Sequence, residues 1–347
     1  MSKPIIYYFS HMILVTGSTG LVGSHLLYRL VASNESVRAI YRNEIKLNQV
    51  KQVFSCYSED YEALFNSIDW VKADILDIPS LTDAFEGITH VYHCAAMVSF
   101  EPNKYHQLRK TNIEGTANIV NICLAHNIDK LCYVSSIATL SSDAKNDVIT
   151  EESVWNPEAD NNVYAITKYG AEMEVWRGTQ EGLNAVMVNP GVILGAGIWD
   201  EGSGSLFKKA RKGLKFYTQG TVGLIAVEDV VEIMVTLLKS DIKNERFVLI
   251  AENWTYKDFL QAICKATSQK SPQKLAKPWL LGILWRLDWL MHTLFGKRRQ
   301  LTKHLSTSLS TKKSYSSTKV TEALNFEFKA IEKSIIEIGR LYLKQAK

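Results

Sequence analysis

The sequence predicts an α/β protein built on a doubly wound parallel sheet, and three observations carry that prediction. Short apolar runs alternate with amphipathic stretches from Met12 onward. The runs are continuously apolar, as strands covered on both faces must be. The first of them ends in a glycine-rich turn that opens a helical pattern. Strand and helix in alternation imply right-handed crossovers between parallel strands.

In order, Met12–Thr16 reads as a strand. Leu21–Val31 reads as a helix, with Leu21, Val22, Leu26, Leu27 and Leu30 at helical spacing. Ser36–Tyr41 is the second strand. Glu44–Asn66 is one helix or two, broken near Ser55–Ser58. Ile68–Ala73 and Thr89–Cys94 are the third and fourth strands, with a short helix at Ser80–Glu86 between them. Residues 103–126 are a long helical stretch, and Lys130–Ser135 is the fifth strand. Asn161–Thr179 is a helix and Ala185–Asn189 the sixth strand. Beyond residue 195 the alternation weakens, with Leu224–Val227 as a strand and Glu228–Leu238 as a helix. After Trp254 the chain is mostly helical and rich in tryptophan. The expected division is 12–194 for a nucleotide-binding domain. A smaller, mostly helical C-terminal substrate-side domain takes 195–347, with segments that return to the main sheet.

Composition narrows the classes. The 347 residues are 46% hydrophobic and 22% charged, an ordinary globular balance. A net charge of +4 with no dense basic block argues against nucleic acid as a partner. The five cysteines, Cys56, Cys94, Cys123, Cys132 and Cys264, are odd in number and follow no metal-ligand spacing. They read as reduced, which suits a cytoplasmic protein, and no metal site is expected. The apolar patch Ile5–Phe9 is too short for a signal sequence. The first eleven residues are a loose extension, or Met12 is the true start.

Thr16–Gly23 reads TGSTGLVG, with Gly17, Gly20 and Gly23 between a strand and a helix. That is the setting of a Rossmann-type dinucleotide fingerprint. Gly17 permits the tight turn, Gly20 lets backbone N–H groups approach a pyrophosphate, and Gly23 lets helix and strand pack closely. The helix N-terminus supplies partial positive charge. Thr19, Leu21 and Val22 complete the expected cofactor loop. The second strand ends in Tyr41-Arg42-Asn43, with no acid to hold a ribose 2′-hydroxyl. Arg42 can instead fork onto a 2′-phosphate, so NADP(H) is favoured over NAD(H). The alternative is a solvated arginine at a strand end. Asp74, after the third strand, suits the adenine amino group or serves a turn, with Ile75 beside it.

Tyr164 and Lys168 are one helical turn apart in a Y-x-x-x-K. The lysine ammonium is expected to lower the tyrosine pKa toward the operating range of a proton donor. Ser135-Ser136 ends the fifth strand, where a hydroxyl can bond a substrate oxygen beside Tyr164.

These motifs together resemble the extended short-chain dehydrogenase/reductase family, also called the NAD-dependent epimerase/dehydratase family. The matching segments are TGSTGLVGS (16–24), ADILD (73–77), HCAA (93–96), TNIEGT (111–116), YVSS (133–136) and YAITK (164–168), within residues 12–240. The resemblance implies a catalytic Ser136, with Ser135 as runner-up, together with Tyr164 and Lys168. It implies that Asn112 supports the active-site hydrogen-bond network and that Ala95 and Ala96 line the cofactor, with Pro190 among its contacts. Asn189 stands where sugar-nucleotide members often carry an arginine, and no late Arg-x-Gly-Asp grips a diphosphate. VNPGVILG (188–195) and GLIAVEDV (223–230) look closer to the dihydroflavonol reductase and 3β-hydroxysteroid dehydrogenase branch.

Pro278–Gly296 places Leu280, Ile283, Leu284, Leu287, Leu290, Met291 and Leu294 on one face of a helix, ahead of Lys297-Arg298-Arg299. The stretch is too interrupted by charge to span a membrane. It reads as a helix burying its apolar face over the substrate pocket, or as peripheral membrane contact through 278–299. Either suggests an apolar small-molecule substrate. The leading expectation is hydride transfer between NADP(H) and a ketone or secondary alcohol. The alternatives are a nucleotide-sugar epimerase or dehydratase and a non-enzymatic dinucleotide-binding protein, and a homodimer stays open.

Overall fold

Seven parallel strands form the main sheet. Their spatial order is Glu245–Leu249, Ala185–Pro190, Lys130–Val134, Ile88–His93, Met12–Thr16, Ser36–Tyr41 and Asp69–Lys72. The computed structural model describes residues 12–141, 148–295, 299 and 301–345, so Ile5–Phe9, Lys297 and Arg298 lie outside the described residues. From Met12–Thr16 the chain builds outward through two strands, then returns to build in the other direction from Ile88–His93. The order reverses between those two central strands, which is where an open α/β sheet leaves a crevice for a ligand.

Side-chain alternation along the central strands divides the core into two layers. Ile13 and Val15 join Leu26, Leu30, Val230 and Met234 on one face of the sheet. Leu14 joins Ile119, Val120, Ala171 and Val175 on the other. The helices responsible are Leu21–Val31 and Val227–Lys239 on the first face, and Gly115–Ala125 and Val163–Gln180 on the second. Arg29 ties the first pair together through Glu232 at 2.8 Å.

Most expected elements lie within two residues of their observed ends. Glu44–Asn66 is broken, with helices at Leu47–Phe54 and Tyr61–Asn66. The stretch 103–126 is not a uniform α-helix. A π-helical turn at Arg109–Glu114 separates Tyr105–Leu108 from Gly115–Ala125, and such widened turns favour functional positions. Seven of the fourteen strands among the described residues escaped the sequence reading, and three of them frame the site. Glu245–Leu249 is the edge of the main sheet, while Val192–Leu194 and Glu252–Thr255 flank Thr221–Ala226 in a second, three-stranded sheet. That sheet shares a core with the C-terminal helices through Leu224, Phe259, Ile263, Ile335 and Ile338.

The helix Pro278–Phe295 departs from expectation more sharply. Its apolar face is not buried over a pocket: Leu281 is its one buried residue, while Ile283, Leu284, Leu287, Leu290, Met291 and Leu294 are exposed.

Glycine at two positive-φ sites separates two kinds of constraint. Gly17 (φ +66°) lies so close to the neighbouring strand's exit that an added Cβ would sit 2.5 Å from the Ala95 nitrogen. Gly87 (φ +74°) has open space around it. Gly87→Ala is therefore expected to cost only backbone strain, about 1 kcal/mol. Gly17→Ala adds displacement of a central strand and should cost at least about 2 kcal/mol more in urea unfolding. Equal costs would contradict this packing.

Candidate active site

The glycine turn sits at the strand-order reversal. Gly17 rests against Ala95 backbone, and a Cβ on Gly23 would collide with the Gly17 carbonyl, so neither position tolerates a side chain. Gly20 differs: a Cβ there would meet only the Gly17 oxygen, at 3.3 Å, and the residue is exposed. No side chain caps the helix that Gly20 begins. The turn therefore presents the uncapped N–H groups of Leu21, Val22 and Gly23 to an open cradle, which fits a dinucleotide pyrophosphate. Ser18 donates to the Ile40 carbonyl at 2.6 Å and fixes the loop to the second strand. Thr19 is half-buried beside it.

Arg42 and Asp74 lie at adjacent strand ends, 3.6 Å apart, with the arginine side chain 64% exposed. Asp74 also accepts from the Leu76 N–H at 3.0 Å, so the turn role is real. The two residues expected at the adenosine end thus face each other. Ala96 is exposed next to Ala95, whose N–H reaches the Thr16 hydroxyl at 3.3 Å. Ile75 is buried against Gly115, and Pro190 is buried at the end of its strand.

Across the crevice, the Ser136 hydroxyl lies beside Tyr164, close enough to act on its pKa. Ser136 also accepts from the Ala138 N–H at 3.1 Å, so it caps a short turn while facing the tyrosine. Ser135 points inward instead and donates to Glu172 at 2.5 Å. The runner-up serine is thereby committed to the interior. Asn112, on the π-helical turn, exchanges hydrogen bonds with the Met97 backbone at 2.7 and 3.1 Å and donates to Thr167 at 3.1 Å. It clamps the segment after the fourth strand onto the Tyr164 helix.

The tyrosine departs from expectation. Burial pushes the Tyr164 hydroxyl above its ordinary value, with the neighbouring Ser136 hydroxyl acting in the opposite direction. Lys168 does not reach it. Its ammonium donates to the Tyr133 hydroxyl at 2.6 Å and the Val134 carbonyl at 2.8 Å. Burial brings Lys168 down to about 7, against the pull of Glu172. Beneath it His93 is held neutral, burial taking it to about 3, between the hydroxyls of Thr16 and Thr116.

Sequence reasoning missed Glu172, one helical turn beyond Lys168. Its buried carboxylate accepts from Ser135, Thr139 and Asn189 on one oxygen. Its other oxygen takes Arg246 at 2.9 Å. The spacing of Tyr164, Lys168 and Glu172 on one helix face was the available signal. Arg246 carried none, because its strand was not recognised.

A family model for the NAD dependent epimerase/dehydratase family matches residues 13–250. The chain belongs to the NAD-dependent epimerase/dehydratase family. That places it among the extended short-chain dehydrogenases/reductases, a family of NAD(P)-dependent reductases and epimerases. The chain is 26% identical over 291 residues to sterol demethylase protein B of Methylococcus capsulatus, covering 82% of this chain and 84% of that protein. It is 27% identical over 282 residues to a putative dihydroflavonol 4-reductase of Synechocystis, covering 78% and 77%. The UDP-glucose 4-epimerase of Thermotoga maritima shares the fold with a TM-score of 0.74 at 18% identity, over 97% of this chain and 100% of that one.

In this member of the epimerase/dehydratase family, Asn189 before Pro190 is an interior hub. It donates to Ser136, Thr139 and Glu172 at 3.2, 3.0 and 2.9 Å. Removing the cation from the Glu172 cluster tests its weight. Arg246→Met should destabilise by about 3 kcal/mol, the low end for a broken buried pair because three donors remain. The double variant Arg246→Met/Glu172→Gln should cost less than the single. Urea unfolding reads both; an Arg246→Met variant as stable as the wild type would contradict the account.

Proposed function

We propose that this chain is an NADP(H)-dependent reductase that converts a carbonyl on an apolar substrate to an alcohol. The observation that carries the reading is the pairing of the Ser136 and Tyr164 hydroxyls beside exposed apolar surface. Phe100, 39% exposed, packs edge-on to the Tyr164 ring at 5.5 Å, and Val98 is 65% exposed. Apolar side chains left exposed beside a polar pair suit a substrate with an apolar body and one oxygen to recognise.

When bound, the cofactor would supply the hydride. Gly17, Thr19, Gly20, Leu21, Val22 and Gly23 form the cradle that would hold its pyrophosphate, with Ala95, Ala96, Ile75 and Pro190 along its path. Tyr164 gives its proton to the carbonyl oxygen, and Ser136 holds that oxygen by a second hydrogen bond. A tyrosine raised by burial is protonated at neutral pH and so has a proton to give to the carbonyl oxygen. Lys168, brought down to about 7 by burial, is partly charged at neutral pH and places that charge one helical turn below the tyrosinate that remains. Asn112 fixes the helix that carries both. Relatives named as dihydroflavonol 4-reductase and cinnamoyl-CoA reductase support carbonyl reduction. Asn189, engaged with the interior where an arginine would serve a sugar nucleotide, gives the epimerase reading no support.

Arg42 carries the cofactor preference. With no acid at that strand end, NADP(H) should bind more tightly than NAD(H), and Arg42→Asp should reverse the order. Tyr164→Phe should lower turnover by about two to four orders of magnitude while leaving NADP(H) affinity near wild type. Fluorescence titration and steady-state turnover of a lipid-like ketone measure these. Stabilisation by UDP-sugars alone, or an active Tyr164→Phe enzyme, would overturn the reading.

A further inference from the structure

We propose that the helix Pro278–Phe295 docks the protein onto an anionic lipid bilayer, lying in the interface without crossing it. Among the described residues, nine of the nineteen large hydrophobic side chains left exposed belong to this one helix. Ile283, Leu287, Leu290 and Leu294 follow one another at helical spacing as a single stripe, 43% to 64% exposed. Trp279 and Trp289 stand 64% and 50% exposed along the same helix. An apolar stripe with tryptophans suits the boundary between headgroups and acyl chains. No described helix is long and apolar enough to cross a membrane.

Charge identifies the occupant. Residues 270–304 hold eight lysines and arginines against one acid, Asp288, for a net of +7. The whole chain carries +4, so the rest of the protein is net acidic. Asp288 itself faces Arg299 at 3.7 Å. Lys270, Lys274 and Lys277 precede the helix, and Lys297, Arg298 and Lys303 follow it in sequence, Arg299 being turned to Asp288. Basic residues at both ends of an apolar stripe match a negatively charged leaflet. They oppose a second copy of the chain, because an isologous pairing of this helix sets basic flank against basic flank whichever way it runs.

The surface also adjoins the site. Lys303 and His304, in the next helix, reach Asp160 at 3.5 and 3.8 Å, four residues before Tyr164. The docking itself does not depend on the redox reading.

Vesicle co-sedimentation of the full chain tests it. Wild type should bind vesicles of mixed phosphatidylcholine and phosphatidylserine, bind phosphatidylcholine alone more weakly, and be displaced by salt. Leu287→Glu/Leu290→Glu should lose about tenfold or more in vesicle affinity. Its thermal unfolding and NADP(H) binding should stay at wild-type values. Lys274→Glu/Lys277→Glu should remove the preference for anionic vesicles, a change that misfolding of the helix would not produce. Absence of wild-type binding, or binding unchanged in the leucine variant, would overturn the proposal. So would a lipid-free dimer, seen by sedimentation velocity, that the leucine variant dissolves.

Discussion

The buried carboxylate of Glu172 is the interaction on which the site's geometry depends. It has no exposure to water, and a carboxylate there survives only if its lone pairs are met and its charge is balanced. Ser135, Thr139 and Asn189 meet one oxygen, and Arg246 balances the charge through the other. These partners come from the exit of the fifth strand, the turn after it, the end of the sixth strand and the edge strand. One side chain thus fastens four segments to the helix that carries Tyr164 and Lys168. Arg246 extends the tie to the Glu151 and Ser153 carbonyls, and Glu151 in turn receives the Val248 N–H. The edge strand is held both to the helix that carries Tyr164 and to the loop at Glu151–Ser153.

This arrangement explains the division of labour between adjacent serines. On an extended strand exit, neighbouring side chains point in opposite directions. Ser135 faces the interior and is consumed by Glu172, which leaves Ser136 to face Tyr164. The resemblance favoured Ser136 over Ser135, but the residues alone gave only the pair, because the partition is set by a residue 37 positions away. The same holds for Lys168. Its place one turn from Tyr164 was legible, yet its ammonium is drawn to Tyr133 and Val134, groups on the strand beneath the helix. Local spacing says which face a side chain leaves from and is silent about which competitor it meets.

The fold was legible for a related reason. Strands such as Met12–Thr16 and Lys130–Val134 are buried on both faces, so their hydrophobic signal is continuous, and each is bounded by a helix of clear period. Glu245–Leu249 begins with two charged residues and leaves only Phe247, Val248 and Leu249 to announce it. Its partner strand is remote in sequence, so nothing local marked it as the seventh strand. The helix at Pro278–Phe295 illustrates the opposite failure. Its apolar stripe was read correctly from periodicity, but periodicity cannot say whether a stripe faces protein or something else. The exposure of that stripe beside a basic flank is information that only the packed chain contains.

The proposed chemistry joins a site polar at one point, Ser136 and Tyr164, to apolar surroundings at Phe100 and Val98. Its central claim is net hydride transfer to a carbonyl carbon on an apolar molecule. The most direct measurement supplies NADPH deuterated at the transferable position together with a steroid-like or flavonoid-like ketone, and follows cofactor and product together. The account predicts one cofactor oxidised per alcohol formed, with deuterium on the new carbinol carbon. Cofactor that is never consumed, while a nucleotide sugar is epimerised in the same preparation, would contradict it.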